Sequence, residues 1–227
     1  VLTAHDVTER RELEEQLVHQ AFHDSLTGLP NRALLTDRLA HALERNSRSG
    51  LDVALLFLDI DDFKTINDSL GHLAGDDLLR AVGGRVASVL RPGDLASRPG
   101  GDEFAVLLRA VDDERAAVAV AERLVDVLRP EFITDGRRLS VTASVGMIID
   151  SGASSVTEVM RNVDLAMYAA KDQGNGQIRL FEDALHRRAL DRLELGGELP
   201  RAIAGGELII DYQPIVDLDD GTIAGLE

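Results

Sequence analysis

Leu95-Ala96-Ser97-Arg98-Pro99-Gly100-Gly101-Asp102-Glu103-Phe104-Ala105-Val106-Leu107-Leu108 sets two apolar runs on either side of a glycine pair. The pattern predicts a β-hairpin whose turn carries Asp102 and Glu103 to its tip. Adjacent carboxylates repel unless a cation lies between them, so a metal site is one reading of the tip. A solvated turn is the other, because Gly-Gly-Asp is ordinary hairpin chemistry. A second acidic cluster favours the metal. Val53 to Leu58 is a continuous apolar run of strand length, as expected for a central strand covered on both faces, and it ends in Asp59-Ile60-Asp61-Asp62. If the two strands are neighbours in one sheet, Asp59, Asp102 and Glu103 converge. Three carboxylates there would bind one or two divalent ions and leave positions open for phosphate oxygens, as in-line phosphoryl or nucleotidyl transfer requires.

The remaining sequence frames that sheet. Asn31 is placed to cap a helix running to about Asn46, with Leu34, Leu35, Leu39 and Leu43 on its inner side. Lys64 to Gly75 carries Asn67, Asp68, His72 and two glycines. A helix is expected from Asp76 to Leu90, its buried side marked by Leu78, Leu79, Val82, Val86, Val89 and Leu90. Arg91-Pro92-Gly93-Asp94 reads as a turn into the hairpin, and Asp112 to Leu128 as an amphipathic helix begun by acidic residues. Phe132 to Ile149 holds two strand-like runs around Asp135-Gly136; a helix over Ser155 to Lys171, a loop to Gln177 and a strand over Ile178 to Phe181 follow. The order of elements predicts an α+β domain with a mostly antiparallel sheet flanked by helices.

Composition narrows the chemistry. The 227-residue chain is 44% hydrophobic, enough for a substantial core, and no apolar run approaches the roughly 20 residues of a membrane span. The N-terminus does not read as a signal peptide, so a cytoplasmic protein with no membrane segment is expected. With no cysteine, metal ligands are limited to oxygen and imidazole, which favours Mg2+ or Mn2+. A formal net charge of −16 opposes binding to a nucleic acid polymer but leaves room for a small phosphate ligand held by metal and a few local cations.

Several separated motifs, in order, resemble the GGDEF diguanylate cyclase family: Asp59-Ile60-Asp61-Asp62-Phe63-Lys64, Ile66-Asn67-Asp68, Gly71-His72, Gly75-Asp76 and Gly100-Gly101-Asp102-Glu103-Phe104, with support from Asp24 to Arg32 and Ala166 to Lys171. The resemblance covers roughly Ala21 to Phe181. It implies a ferredoxin-like fold related to nucleotidyl cyclases and polymerase palms, and condensation of two GTP into cyclic di-GMP with release of two pyrophosphates. Asp59, the Ile60 carbonyl, Asp102 and Glu103 would hold magnesium or manganese; Asp102 is also the family's candidate proton acceptor, although a metal-bound carboxylate is a weak base. Lys64 would neutralise charge on the phosphates, and Lys171 would reach the triphosphate. Asn67 and Asp76 suit the donor and acceptor edge of guanine, and His72 could line the same pocket. Taken singly, these residues also read as a surface lysine, a helix cap or a solvated loop histidine. Arg91 and Asp94 match the family's inhibitory product site, where arginine can fork onto guanine O6 and N7.

Asn175 stands where the family often has arginine, and Pro99 where a bulky apolar residue is more usual. At the ends, Asp6-Val7-Thr8-Glu9-Arg10 resembles the exit of a PAS sensor domain joined to a signalling helix. Tyr212-Gln213-Pro214-Ile215-Val216 resembles the opening of an EAL phosphodiesterase domain, whose motif would begin at Glu227. The expected organisation is a signalling helix or linker over 1–20, a GGDEF domain over 21–182, and a linker helix with a truncated EAL start over 183–227, cut from a longer protein. Leu13 and Leu17 on the leader helix could pair two copies in a short coiled coil or belong to a solvated leader. A homodimer is expected for catalysis, because the product is a ring made from two GTP molecules. The competing expectation is a catalytically silent GGDEF domain that binds GTP or cyclic di-GMP and regulates an attached EAL phosphodiesterase.

Overall fold

The computed structural model describes residues 17, 19–134, 136–185, 187, 198, 200–207, 209, 211–218 and 221–227. Most of the expected leader helix, including Leu13, and the PAS-like stretch over 6–10 lie outside these residues. Leu17 is 65% exposed. The chain divides into two compact units, Val1–His186 and Arg187–Glu227.

The first unit is built on a five-stranded sheet. Its strands are β1 (Asp52–Ile60), β2 (Leu95–Gly100), β3 (Glu103–Val111), β6 (Ala143–Asp150) and β7 (Ile178–Leu180), in the order β2-β3-β1-β6-β7. Strand β1 is antiparallel to β3 on one side and to β6 on the other, β2 is antiparallel to β3, and β7 is parallel to β6. The predicted mostly antiparallel sheet is therefore present. Two three-residue strands, β4 (Phe132–Thr134) and β5 (Arg137–Leu139), form a separate ribbon around the expected turn.

The uninterrupted apolar run of β1 follows from burial on both faces. Ala54, Leu56, Leu58 and Ile60 pack with Leu78, Leu79, Val82 and Val86 of α3 (His72–Val89) and with Ala117, Ala121, Leu124 and Leu128 of α4 (Glu114–Leu128). Val53, Leu55 and Phe57 pack with Leu35, Leu39 and Leu43 of α1 (Arg32–Ser49) and with Val159, Met160, Val163 and Met167 of α5 (Val156–Asp172). A two-residue alternation thus serves two cores, each fully buried leucine contributing about 1.5–3 kcal/mol.

Three boundaries differ from the sequence reading. Helix α1 begins as expected, with the Asn31 side chain accepting from the Ala33 and Leu34 N–H groups, but continues to Ser49. Asn46 does not end it, because its amide is buried and donates to the Arg109 carbonyl at 3.0 Å. The helix stops at Gly50, whose φ of 70° favours glycine. Between Ile60 and α3 lies a further helix, α2 (Phe63–Leu70), which buries no residue fully and so left no apolar signature. Helix α3 starts at His72 rather than Asp76, so Asp76 sits inside the helix and not at its cap. Its first turn exposes Leu73 (83%), which hides the helical period.

Gly146 brings α5 to the sheet. A side chain there would place Cβ 2.1 Å from the Met167 N, so only glycine lets α5 lie this close to β6. The Ser155–Glu158 capping box fixes the other end of the helix. In the second unit, residues 200–205 are helical, and β8 (Pro214–Val216) pairs antiparallel with β9 (Ile223–Leu226). The described residues of 208–212 are not in a strand. No helix among the described residues is long and apolar enough to cross a membrane.

Candidate active site

Strand pairing assembles the carboxylates. Asp59, the penultimate residue of β1, is the direct cross-strand partner of Glu103, the first residue of β3, and the Ile60 N–H donates to the Asp102 carbonyl at 3.4 Å. Gly101, with φ of 57°, makes the tight turn that Asp102 follows. The structure therefore brings Asp59, Ile60, Asp102 and Glu103 together at one end of the sheet. Lys171, in the last turn of α5, joins them: its Nζ lies 2.7 Å from Asp59 Oδ2.

These groups share an electrostatic strain. Burial pushes the Asp59 carboxyl above its ordinary value; the Lys171 ammonium opposes this, and the charges of Asp102 and Glu103 add to it. Glu103 is also raised, first by burial and then by Asp164 and Asp102. Asp164, raised by burial and relieved in part by Arg32, was missed in the sequence reading. It lies two helical turns before Lys171, and that spacing on one face was the available signal. Glu103, Asp164, Lys171, Arg32 and Tyr168 line an open cleft of about 890 Å3 between α1 and α5.

Among the described residues, no three carboxylate or imidazole side chains form a ready-made metal cage. The donor set nevertheless fits a hard cation: oxygen donors alone, like charges crowded at a strand end, and a lysine ammonium already drawn onto one of them. Asp59, the Ile60 carbonyl, Asp102 and Glu103 are the groups that would hold it, with phosphate oxygens completing the shell.

A second group forms beside α2. The chain leaves β1 through Asp62, whose φ of 57° turns it directly into that helix. Asn67 of α2 lies against Gly75 of α3, where an added Cβ would meet Asn67 Oδ1 at 2.0 Å. Asn67 Oδ1 is buried without a hydrogen-bond partner, and Asp76, next to Gly75 in the chain, is half-buried. Lys64 and His72 are exposed, Lys64 in the first turn of α2 and His72 at the start of α3. Asn175 donates to Asp62 Oδ2 at 2.9 Å, so this departure from the family pattern has a structural partner.

A third group lies at the far end of the hairpin. Arg91 Nε is 3.3 Å from Asp94 Oδ2, Arg91 is mostly exposed, and the Asp94 side chain is only 5% exposed. Arg91 also donates to the Ala110 carbonyl. Glu103 and Ala110 are separated by seven residues of β3, roughly 23 Å along an extended strand. Arg91 and Asp94 line a hollow of about 290 Å3 together with Arg123, which the sequence did not single out.

Residues 21–177 match the family described as Diguanylate cyclase, GGDEF domain. The chain belongs to this family. The GGDEF segment has relatives of known structure: it is 38% identical to the GGDEF domain of TpbB (YfiN) from Pseudomonas aeruginosa, with a TM-score of 0.72 over 74% of this chain and 99% of that one. The coiled coil and GGDEF domain of DgcB from Caulobacter crescentus, in complex with c-di-GMP, is 30% identical with a TM-score of 0.70, covering 77% of this chain and 93% of that one. Among curated proteins, the bifunctional diguanylate cyclase/cyclic di-GMP phosphodiesterase MucR of P. aeruginosa is 38% identical over 93% of this chain and 31% of its own length. The chain thus spans less than a third of that relative. Membership places this GGDEF domain in cyclic di-GMP signalling.

Proposed function

We propose that the chain is an active diguanylate cyclase, working as two half-sites across a homodimer. The observation that carries the reading is the cross-strand pairing of Asp59 with Glu103, both carboxyls raised by burial and by like charges nearby, with Asp102 at the adjoining turn. Bound magnesium or manganese would supply Lewis acidity, polarising the α-phosphate and lowering the pKa of the attacking 3′-hydroxyl.

The chain's own residues do the rest. Asn67, with its unpartnered Oδ1, and Asp76 bind the guanine edge and reject adenine, whose reversed donors would leave buried polar groups unpaired. His72, exposed at the start of α3, would line the guanine pocket beside them. Lys64 faces solvent at the start of α2, free to approach phosphate oxygens, and Lys171 exchanges Asp59 for the triphosphate. Asp102 serves as the candidate acceptor of the 3′-hydroxyl proton. That oxygen forms a bond to the partner nucleotide's α-phosphorus while the bond to pyrophosphate breaks; the second attack closes the ring. Each protomer holds one GTP, so the two sites must face each other. Arg91 and Asp94 bind cyclic di-GMP as an inhibitory product, far enough from Glu103 to act without blocking the substrate site directly.

The organisation of the chain is proposed as a signalling helix or linker following a PAS-like domain over 1–20, the GGDEF domain over 21–182, and a linker helix with the start of an EAL domain over 183–227. Incubation of the chain with GTP and Mg2+, with product identified by mass spectrometry, tests the function. Cyclic di-GMP and pyrophosphate in a 1:2 ratio, no product from ATP, and specific activity that rises with protein concentration are expected. GTP binding without any cyclic dinucleotide, across a wide concentration range, would establish the silent alternative.

A further inference from the structure

The β2–β3 ladder pairs Ser97 with Ala105 and Gly100 with Glu103, but its register breaks between Ser97 and Gly100. The two residues in the break are Arg98 and Pro99. The β2 side of the hairpin is therefore interrupted just before the tip that carries Asp102 and Glu103, whose backbone is otherwise held by β1. The Arg98 side chain is only 10% exposed and turns towards that tip. Its Nε and Nη2 both donate to the Gly101 carbonyl, at 3.1 and 2.6 Å, and that carbonyl belongs to the peptide leading into Asp102. The third arm of the guanidinium, Nη1, donates to Asp24 Oδ1 at 2.8 Å.

Asp24 is itself firmly held. Its carboxylate accepts from the Thr27 N–H and hydroxyl at 2.9 and 2.6 Å, and its N–H donates to the Leu29 carbonyl at 2.7 Å. The loop over 24–31 closes where His23 bridges Pro30, and the Asn31 N–H donates to the Phe22 carbonyl. The Pro30 carbonyl then accepts from the Arg98 N–H at 2.8 Å. This loop joins helical residues 19–22 to the N-cap of α1. A buried guanidinium needs a carboxylate partner, and its planar fork can hold two groups in fixed relative positions.

We infer that Arg98 is a positioning residue for the reaction: anchored by Asp24, it sets the Gly101 peptide and with it Asp102 and Glu103. The inference rests on the cyclase reading. It also makes the 24–31 loop the mechanical link between the segment that enters the domain and the acidic tip. A shift of helical residues 19–22 that loosens Asp24 would release the guanidinium from Gly101, and turnover would fall although no group touching GTP had changed.

Arg98→Lys keeps the charge but loses the fork, and Asp24→Asn keeps the shape but loses the charge. Steady-state kinetics and amide hydrogen exchange on the full chain, without metal or nucleotide, would compare both variants and their double mutant with the wild type. Each single variant is expected to lower kcat about ten- to a hundredfold, the scale of a small misplacement of reacting groups, with KM for GTP within about twofold. The double mutant should be no worse than Arg98→Lys, because both changes cut one chain of contacts. Exchange should quicken over residues 100–104 while Leu55–Leu58 stays protected. Unchanged kcat and unchanged tip exchange in folded variants would overturn the inference. So would a kcat loss accompanied by equally faster exchange throughout the sheet, which marks a merely structural pair. If the wild type makes no cyclic di-GMP, the cyclase reading fails by itself, and the exchange data still report whether Arg98 restrains the tip.

Discussion

Asp61 accepts hydrogen bonds from the Thr142 and Ser144 hydroxyls at 2.6 and 2.7 Å and from the Gly176 N–H at 2.9 Å. Asp59, two positions earlier, meets the Lys171 ammonium at 2.7 Å and faces the charges of Asp102 and Glu103. Both are buried at the end of β1, so residue type and depth do not separate them. Their neighbours do. At the Asp61 corner, donors from β6, from Thr142 just before it and from the loop after α5 surround one carboxylate, which ties those segments to the end of β1. At the Asp59 corner, like charges accumulate beyond what one lysine neutralises. A satisfied carboxylate reads as scaffold and a crowded one as a candidate cation site.

The contrast is broken most sharply at the hairpin tip. Asp102→Ala should lower cyclic di-GMP formation at least about a hundredfold, the scale of removing a transition-state charge stabiliser, with the melting temperature close to that of the wild type. Thermal unfolding and turnover measured on the same sample check both halves. Near-normal turnover by the folded variant would remove the tip from the chemistry.

Asp61→Ala should do the reverse. It strands two hydroxyls and an amide N–H, so a loss of at least about 2 kcal/mol of folding stability is expected from chemical denaturation. A neutral effect would mean that the Asp61 corner holds nothing together.

The smallest effect on stability is expected at Asp24. Burial pushes its carboxyl up, but Thr27 and the Arg98 guanidinium outweigh this and hold it below the ordinary value of 3.8. A depressed folded pKa means the unfolded chain binds more protons at acid pH. The stabilisation is therefore complete above the unfolded value and is lost as pH falls through the lower folded one. The stability gap between wild type and Asp24→Asn should be constant near neutrality and narrow at acid pH. A gap that widens on acidification would reverse the assigned direction.

Much of the fold was legible because local signals agreed with it. The glycine pair marked the β2–β3 hairpin, Asn31 and Ser155 marked helix starts, and the unbroken apolar run of β1 announced burial on both faces. Helix α2 was not legible, since it buries no residue fully and offers no apolar stripe. The acidic residues of the candidate site, Asp59 rather than Asp61 among them, were named from their motifs, but the sequence does not show the partners that set these two carboxylates apart. What separates them lies on β6 and α5, about a hundred residues away. The same holds for Asp24 and Arg98, 74 residues apart, which meet only once the loop over 24–31 is closed. Asp164 faces Glu103 across the α5 cleft, and only folding puts it there.

Manganese uptake tests the central claim most directly. Electron paramagnetic resonance of free Mn2+, titrated into the chain with a non-reactive GTP analogue present, reports binding without any need for turnover. Saturable uptake by the wild type, lost in folded Asp59→Asn and Asp102→Asn variants, is the predicted result. Equal uptake by all three proteins, or none by the wild type, would contradict the account.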